Sequence, residues 1–309
     1  MTFNSTEIFE LAFGRAPSAE EVSVLTILRS ENQSPVSFFR AVIKFFDKIS
    51  NPTAFDVQLS EADVVMKEFA GFQLALDRHD IAVSGEIVAE RYEPHLTRIF
   101  RDLVKPGMCV ADVGANVGYY SFLASRLVGP TGHVMAFEPN QENCRLMMLS
   151  VEANHVHNIE LFPVALSDRP GCSLFVSAIG SNGCLSRDSR FISSSACRVV
   201  PTSRLDDIVS RRVDFIKIDV EGAEALVVRG AEKAITQHRP HITTELSMEM
   251  LRRVSEVEPI EYLRWFQAIG YTVHLVTRPD GDLELVEDLE GFFSDWGDLG
   301  RIEDFVLVP

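Results

Sequence analysis

The stretch CVADVGANVG, residues 109–118, joins a short apolar segment to a glycine-rich turn, and a further apolar segment follows it as far as Val128. Residues 109–113 have the length and composition of a buried strand, and the pattern after Gly118 predicts a helix. Gly114 and Gly118 permit positive φ angles and leave room for a ligand to approach the backbone closely. The stretch therefore predicts a strand, a nucleotide-type turn and a helix.

Short apolar strands and helical segments alternate on the C-terminal side of this turn. The later predicted strands are His133–Phe137, Ile159–Val164, Phe215–Ile218, His241–Thr244, Tyr271–Val276 and Asp304–Val308. Repeated βα alternation predicts an α/β domain with a mostly parallel sheet and helices on both faces. The segment 166–207, rich in Ser, Arg and Gly, interrupts this alternation. It is too long for an ordinary connection, so we expect either a lid or a substrate loop.

Three parts of the chain differ in their sequence pattern. They are a small helical N-terminal domain (1–52), a helical connecting region (53–105) and the α/β domain (106–309). In the first part, Ser18 and Glu21 have the spacing of a capping box. In the second, helical periodicity at 61–77 and 93–104 predicts two helices.

The acidic residues near the glycine turn indicate which nucleotide it binds. Glu138 follows Gly118 by 20 residues, at the tip of the second strand, where a carboxylate accepts hydrogen bonds from ribose hydroxyls. Asn116 stands where a dinucleotide site has its second glycine, and Asp112 places a negative charge near the expected pyrophosphate. That charge suits an ammonium or sulfonium group, so we predict S-adenosyl-L-methionine rather than NAD. A tight turn without any ligand remains the alternative.

Composition limits the other partners of the chain. Lys+Arg is 29 and Asp+Glu is 45, a net charge of −16, which repels nucleic acids and acidic membrane surfaces. The N-terminus has no basic and apolar signal pattern, and no run of 18 apolar residues predicts a membrane span. The five cysteines lack C-x-x-C spacing and favour a reducing compartment. We therefore expect a cytoplasmic protein with no nucleic-acid partner.

The order of motifs over about residues 90–246 resembles the FkbM family of S-adenosylmethionine-dependent methyltransferases. After Tyr92-Glu93-Pro94, the motifs are VADVGANVGYYS (110–121), AFEPNQEN (136–143), PVALSD (163–168), PTSRLDDI (201–208), FIKIDVEGAEALVVRGAE (215–232) and RPHITTEL (239–246). The resemblance implies a Rossmann-like fold with a seven-stranded sheet whose last strand is antiparallel. It also implies O-methylation, commonly of sugar or polyketide hydroxyls.

The same resemblance implies roles for individual residues. The positions that match the family's cofactor site are Tyr92, Glu93, Asp112, Gly114, Ala115, Asn116, Gly118, Tyr119, Glu138 and Asp168. Tyr119 is expected near the methionine end of the cofactor, Glu138 at the ribose and Asp168 beside the adenine. Alternatively, Asp168 forms a turn before Arg169-Pro170-Gly171, and Glu93 complements a helix dipole.

The candidate catalytic residues follow the fourth and fifth strands. Asp219 and Glu221 lie at i and i+2, on one side if the chain stays extended, and Glu245 ends the fifth strand. If the acids share a site, one of them acquires a raised pKa and accepts a proton from an alcohol. Alternatively, Glu221 caps the next helix and Asp219 orients the amino group of the cofactor. His95 is a further candidate base, and we expect no required metal ion.

Several functions remain open at this level. The leading prediction is a methyltransferase that acts on a sugar or glycan hydroxyl, and a secondary-metabolite hydroxyl is the first alternative. An NAD-dependent oxidoreductase and an inactive methyltransferase fold that serves as a binding module are the others. Ser181-Asn182-Gly183-Cys184 departs from the glycine-rich loop of the resembling family. The sequence leaves the oligomeric state open, with a homo-oligomer among the alternatives.

Overall fold

A computed structural model describes residues 63–177, 182–186, 197–296 and 301–309. These residues belong to one compact unit, Glu61–Pro309. The predicted helical domain 1–52 lies outside the described residues, and its boundary stays a prediction. Within the described ranges, no helix is both long and apolar enough to cross a membrane.

Strands and helices alternate along the described chain. The strands are β1 (Val64–Phe69), β2 (Phe72–Asp77), β3 (Cys109–Val113), β4 (His133–Phe137), β5 (Ile159–Phe162), β6 (Ala165–Leu166), β7 (Gly171–Ser177), β8 (Gly183–Ser186), β9 (Cys197–Ser203), β10 (Phe215–Ile218), β11 (His241–Ser247), β12 (Thr272–Val276), β13 (Leu283–Leu285) and β14 (Ile302–Val308). The helices are α1 (Ser84–Val88), α2 (Pro94–Leu103), α3 (Tyr119–Val128), α4 (Gln141–Asn154), α5 (Leu205–Ile208), α6 (Glu224–Gly230), α7 (Glu232–His238), α8 (Met248–Val254), α9 (Pro259–Ala268) and α10 (Leu289–Trp296).

The central sheet has the strand order β13-β12-β14-β11-β10-β3-β4-β5. Strands β3, β4, β5, β10 and β11 pair in parallel, whereas β14 runs antiparallel between β11 and β12. Every residue of β3 and β10 is buried, as expected for parallel strands covered on both faces. The predicted Rossmann-like sheet with an antiparallel last strand is confirmed, and the short edge strand β13 adds an eighth strand.

The helix predicted at 61–77 is wrong, because this segment is the hairpin β1–β2. Ala70 and Gly71 form its two-residue turn with φ angles of 49° and 81°, which matches the twist of paired strands. Two side chains of α4 also bond the β2 backbone: Ser150 Oγ accepts from the Ala75 N–H and Asn154 Oδ1 from that of Gln73, both at 2.8 Å. Tertiary contacts of this kind are invisible to local periodicity.

The helix predicted at 93–104 is confirmed as α2. Pro94 occupies its first turn, where the missing N–H has no intrahelical partner to lose. Of the cysteines, all of which are described, none forms a disulfide.

The segment 166–207 contains a second, smaller sheet. Strands β6, β9, β7 and β8 pair in that order. Phe175, Leu185 and Val200 of this sheet pack against Leu226 of α6 and Val254 of α8. The described part of the segment is therefore a packed extension of the domain, and β8 brings it to the carboxyl edge of the central sheet.

Candidate active site

A cavity of about 240 Å³ lies at the carboxyl ends of the parallel strands. This edge is where ligands bind in open α/β sheets. The predicted site residues that line it are Tyr92, Glu93, Gly114, Asn116, Glu138, Asp219, Glu221 and Glu245. The fold thus brings five of the ten candidate cofactor residues and all three candidate catalytic acids into one cavity. The other five candidates, which are not among its lining residues, are Asp112, Ala115, Gly118, Tyr119 and Asp168.

The turn after β3 packs directly against the turn after β10. Gly114 has a φ angle of +82°, and a Cβ atom there would lie 1.8 Å from the backbone oxygen of Asp219. Gly118 has a φ angle of +91° and begins α3. Both glycines are required by backbone conformation, and Gly114 also by the close approach of the two strand ends.

Glu138 is held by the backbone of two neighbouring turns. Its carboxylate accepts hydrogen bonds from the N–H of Asn116 at 2.8 Å and the N–H of Asn140 at 2.7 Å. Burial raises the pKa of Glu138 to about 7, and the backbone hydrogen bonds only partly oppose this rise. The acid lines the cavity in an orientation that these two bonds fix.

Asp112 lies beneath the turn, fully buried in β3. Its Oδ2 accepts a hydrogen bond from Ser121 Oγ at 2.6 Å. Its Oδ1 is buried without a hydrogen-bond partner among the described residues. Burial raises the pKa of Asp112. Such an orphaned acceptor is costly unless a ligand or water supplies a donor.

Tyr92 and Glu93 reach the cavity from the segment before α2. Tyr120 Oη donates a 2.7 Å hydrogen bond to Glu93, whose side chain makes no capping bond to α2. Burial, followed by the negative charge of Asp219, raises the pKa of Glu93 to about 7. Glu93 is also the N-cap residue of α2, so the alternative that it complements the helix dipole stays a prediction.

Tyr119 does not line the cavity. Its hydroxyl lies 3.1 Å from Thr97 Oγ1, and its ring stacks on Phe69 at 4.0 Å. Its expected position near the methionine end of the cofactor stays a prediction. Tyr119 lies behind Tyr92 and supports it. The two rings pack edge to face with their centroids 5.0 Å apart.

Asp219 is paired with a buried lysine that we did not assign a role from the sequence. Lys217 Nζ donates a 2.8 Å hydrogen bond to Asp219 Oδ2 and lies 5.0 Å from the centre of the Tyr120 ring. Burial lowers the pKa of Lys217, but the charges of Asp219, Asp112 and Glu93 outweigh it, so the pKa rises. A lysine within the apolar strand FIKI is the signal that could have identified it.

Glu221 lines the same cavity, but the backbone conformation that places it there differs from the predicted one. Strand β10 ends at Ile218, and Glu221 adopts a φ angle of 52°, so the extended i and i+2 geometry is wrong. Burial, followed by the charge of Asp219, raises the pKa of Glu221 to about 7. Glu221 does not cap α6, since Glu224 Oε1 accepts from the Gly222 N–H at 2.9 Å instead.

Glu245 lies inside β11, not at its end, and is paired in register with Asp304 of β14. Burial and the charges of Asp219, Asp304, Glu93 and Glu221 raise its pKa well above the usual range. Both influences disfavour the ionised form of the Glu245 carboxyl.

His95, the further candidate base, does not line the cavity. Its Nε2 lies 2.9 Å from Asp304 Oδ2, the oxygen to which Arg278 Nη2 also donates at 2.8 Å. Burial raises the pKa of Asp304, but the two hydrogen bonds, and after them the charges of Arg278 and His95, outweigh it. The pKa of Asp304 is therefore held below the usual range. The cluster supports the strand that carries Glu245.

Asp168 lies away from the other predicted residues. It lines a neighbouring cavity of about 330 Å³ with Cys172 and Thr202, while Val164 and Leu166, just before it, line the main cavity. Its expected contact with the adenine stays a prediction, and the structure favours the apolar residues before it for that role.

The charges of the main cavity limit what it can hold. Five carboxylic acids line it, and no Lys or Arg is among its lining residues in the described part of the chain. Such a field favours a cation and opposes a pyrophosphate. In the ranges that the structure describes, no group of three or more His, Cys, Asp or Glu side chains could hold a metal ion.

Residues from the hairpin region and the small sheet complete the cavity. Ala82 and Val83 precede α1, Phe175 and Leu185 come from β7 and β8, and Asn182 lies just before β8. Phe175, Asn182 and Leu185 belong to the segment 166–207, for which the sequence predicts a lid or a substrate loop. Ala82 and Val83 carry no local signal that could have identified them.

Comparison with known sequences decides the family of this chain. The family described as Methyltransferase FkbM domain matches residues 112–273, just over half of the 309 residues. The chain belongs to the FkbM methyltransferase family. S-Adenosyl-L-methionine is the cofactor of this class. The acids that line the cavity suit its sulfonium and ammonium charges. Asp112 is not part of the lining, but its buried Oδ1 has no hydrogen-bond donor among the described residues.

Individual relatives of this FkbM-family chain cover it in part. The 2-O-methyltransferase NoeI of Sinorhizobium fredii is 30% identical over 172 residues, 48% of this chain and 67% of NoeI. The protein-L-isoaspartate O-methyltransferase of Methanothrix thermoacetophila is 31% identical over 70 residues, 22% of this chain and 33% of that protein.

A solved FkbM methyltransferase from Methylobacillus flagellatus is 15% identical to this chain, with a TM-score of 0.42. The match covers 68% of this chain and 50% of that one. The chain thus spans only a third to two thirds of the length of these relatives and this structure.

Proposed function

We propose that the protein transfers the methyl group of S-adenosylmethionine to a hydroxyl oxygen of a sugar, a glycan or a related polyhydroxylated small molecule. The observation that carries this proposal is Glu221, a carboxyl in the main cavity whose pKa is raised to about 7. An alcohol is a poor nucleophile until its proton is removed, and a base whose pKa lies near the working pH does this best.

The residues that would hold the cofactor surround the turn after β3. Glu138 would accept hydrogen bonds from the ribose, and Gly114 and Asn116 would present the turn backbone. Val164 and Leu166 would provide an apolar surface for the adenine. When bound, the cofactor supplies an electrophilic methyl group on a sulfonium sulfur, which leaves as a neutral thioether.

The three candidate catalytic acids divide the remaining work. Glu221 would accept the proton of the attacking hydroxyl. Glu245, whose ionised form is disfavoured by burial and by the neighbouring acids, would donate a hydrogen bond to an oxygen of the acceptor. Asp219, held by Lys217 at 2.8 Å, would keep a fixed negative charge beside the cationic end of the cofactor. Alignment of acceptor and methyl group within about 3–3.5 Å can contribute ~7–11 kcal/mol to catalysis.

The choice of an oxygen acceptor is supported by two relatives whose names specify O-methyl transfer. An acid-lined cavity favours an uncharged polyhydroxylated acceptor and disfavours a phosphorylated one. The net charge of −16 likewise disfavours nucleic acid. A cytoplasmic location remains part of the same proposal.

Two measurements test the proposal in sequence. Calorimetric titration should give micromolar binding of S-adenosylhomocysteine, no binding of NAD, and loss of the former in Glu138→Ala. Transfer of a radiolabelled methyl group should then be measured against panels of sugars, oligosaccharides and polyketide hydroxyls. Methylation of the polyketides alone would contradict the acceptor class, and transfer to none, despite cofactor binding, would contradict the enzymatic function.

A further inference from the structure

Three side-chain amide contacts connect the turn after β3 to Glu221. The Val117 N–H donates to Asn116 Oδ1 at 2.8 Å. Asn116 Nδ2 donates to Asn182 Oδ1 at 3.0 Å. Asn182 Nδ2 in turn donates to Glu221 Oε1 at 3.4 Å. Three elements that are distant in sequence are thereby joined into one chain of hydrogen bonds, which we term the amide chain.

The amide chain has only one direction. A backbone N–H can only donate, so the Val117 N–H fixes Asn116 Oδ1 inward and its Nδ2 outward. The outward Nδ2 requires an acceptor, which orients the Asn182 amide with Oδ1 toward Asn116. The Nδ2 of Asn182 must then face Glu221. The orientation of a side chain beside the proposed base is therefore determined by a rigid backbone group of the cofactor turn.

Asn116, the first side chain of the amide chain, also contacts the proposed ribose acid through its backbone. Asn116 adopts a φ angle of 50°, and its N–H donates to Glu138 Oε2 at 2.8 Å. Asn116, Asn182, Glu138 and Glu221 all line the main cavity. The amide chain thus runs between the acid proposed to hold the cofactor and the acid proposed to remove the proton.

We infer that Asn182 is a positioning residue for the proposed methyl transfer: it carries the orientation of the cofactor turn to Glu221 and holds one oxygen of that carboxyl, which leaves the other free to accept the proton of the acceptor. The inference rests on the proposed function. At 3.4 Å the last contact is longer than a typical hydrogen bond, and such contacts often tighten only in the substrate complex.

The donor at Asn182 opposes two of the other influences on the pKa of Glu221 and acts in the same direction as the third. Burial and the charge of Asp219 disfavour its ionised form, while Lys217 favours it. Glu245 and the thiol of Cys184 are the other titratable groups that interact with it. An N–H aimed at the carboxylate stabilises the ionised form, so removing this donor should raise the pKa of Glu221.

The decisive variant is Asn182→Asp, which keeps an acceptor for Asn116 Nδ2 but places a carboxylate against Glu221. The pKa of Glu221 should rise by about one unit or more, and one unit corresponds to ~1.4 kcal/mol of differential interaction. Asn182→Ala, which removes the donor without adding charge, should raise it by a smaller amount. Asn154→Asp is the matched control, because the Asn154 amide donates to the Gln73 and Ser150 carbonyls instead.

The measurement is carbon NMR titration of side-chain-labelled glutamate in the full chain saturated with S-adenosylhomocysteine. The Glu221 signal is assigned by its absence in Glu221→Gln. Raised titration midpoints in both Asn182 variants, with Asn154→Asp unchanged, would support the inference. Unchanged midpoints in folded Asn182 variants would overturn it.

Activity separates failure of the inference from failure of the proposed function. With the acceptor found in the methyl-transfer screen, the acid limb of the kcat profile should move upward in Asn182→Asp, and activity should recover at higher pH. Its calorimetric Kd for S-adenosylhomocysteine should change less than about threefold. If Glu221→Gln is inactive but the acid limb stays in place, only the inference fails. If Glu221→Gln is fully active, Glu221 is not the base, and both its proposed role and the inference are contradicted.

Discussion

The turns that follow β3 and β10 are neighbours with opposite chemistry. Both leave buried parallel strands, and both contain residues with positive φ angles. The β3 turn presents backbone groups, and its Gly114 lies against the backbone of Asp219. The β10 turn presents the carboxyls of Asp219 and Glu221 to the cavity. One turn is thus built for shape and the other for charge, so changes in the first should affect folding and binding, whereas changes in the second should affect proton transfer.

The largest effect is expected from Gly114→Ala in the β3 turn. The new Cβ would lie 1.8 Å from the Asp219 oxygen, at a φ angle of +82°. We expect a loss of about 4 kcal/mol or more in the free energy of unfolding, because backbone must move. Gly107→Ala is the matched control, since its φ angle is +83° but its nearest neighbour is 3.6 Å away. Urea unfolding of both variants measures the difference, and equal losses would mean that the turns do not constrain each other.

Glu221→Gln in the β10 turn should have the opposite signature. Removing a positioned base typically costs ~10²–10⁴-fold in rate, while the change from carboxyl to amide keeps the shape. We expect kcat to fall in this range, with a midpoint of urea unfolding that is not lowered and an unchanged Kd for S-adenosylhomocysteine. Near-normal kcat would remove Glu221 from the proposed mechanism.

Asp219→Asn tests whether charge in the β10 turn also has a structural part. The variant removes the negative charge that pairs with the buried Lys217 Nζ at 2.8 Å. We expect a loss of about 2–3 kcal/mol in the free energy of unfolding, because breaking a buried pair leaves an uncompensated charge. The double variant Asp219→Asn with Lys217→Met should recover most of this loss. No recovery would place the cost elsewhere than in the lysine.

The effects of pH should have opposite signs for stability and activity. Four buried or partly buried acids have pKa values raised from 4.5 to about 7, namely Glu93, Glu138, Glu221 and Glu224. Between these values the folded protein binds more protons than the unfolded one, so stability falls as pH rises, by at most ~1.4 kcal/mol per pH unit for each acid. Activity should instead rise with pH through about 7, as Glu221 ionises.

Urea midpoints of the cofactor-free protein at pH 5 and pH 8, together with a pH–rate profile, check both signs. Glu221→Gln should lessen the pH dependence of stability without removing it, since the other acids remain. A stability that rises between pH 5 and pH 7 would contradict the raised pKa values.

Much of the central sheet could be predicted from local patterns. Short apolar runs bounded by glycine and polar residues located the seven strands of the predicted sheet to within a few residues. The hairpin β1–β2 could not be predicted in this way. Its apolar residues also fit a helix, and bonds from Ser150 and Asn154, more than 70 positions away in sequence, support the extended form.

The sequence by itself determined the chemistry available to this protein: the glycine turn, Glu138, which we propose as the ribose acid, and the acids after β10. These signals are local, because a strand, a turn and the residue types beside it occupy one short segment. Only the tertiary structure decided which acids share a cavity, that Lys217 pairs with one of them, and that Asn182 reaches Glu221. Burial and the distance between charges arise from the packing of remote segments, and they set both the pKa values and the assignment of roles.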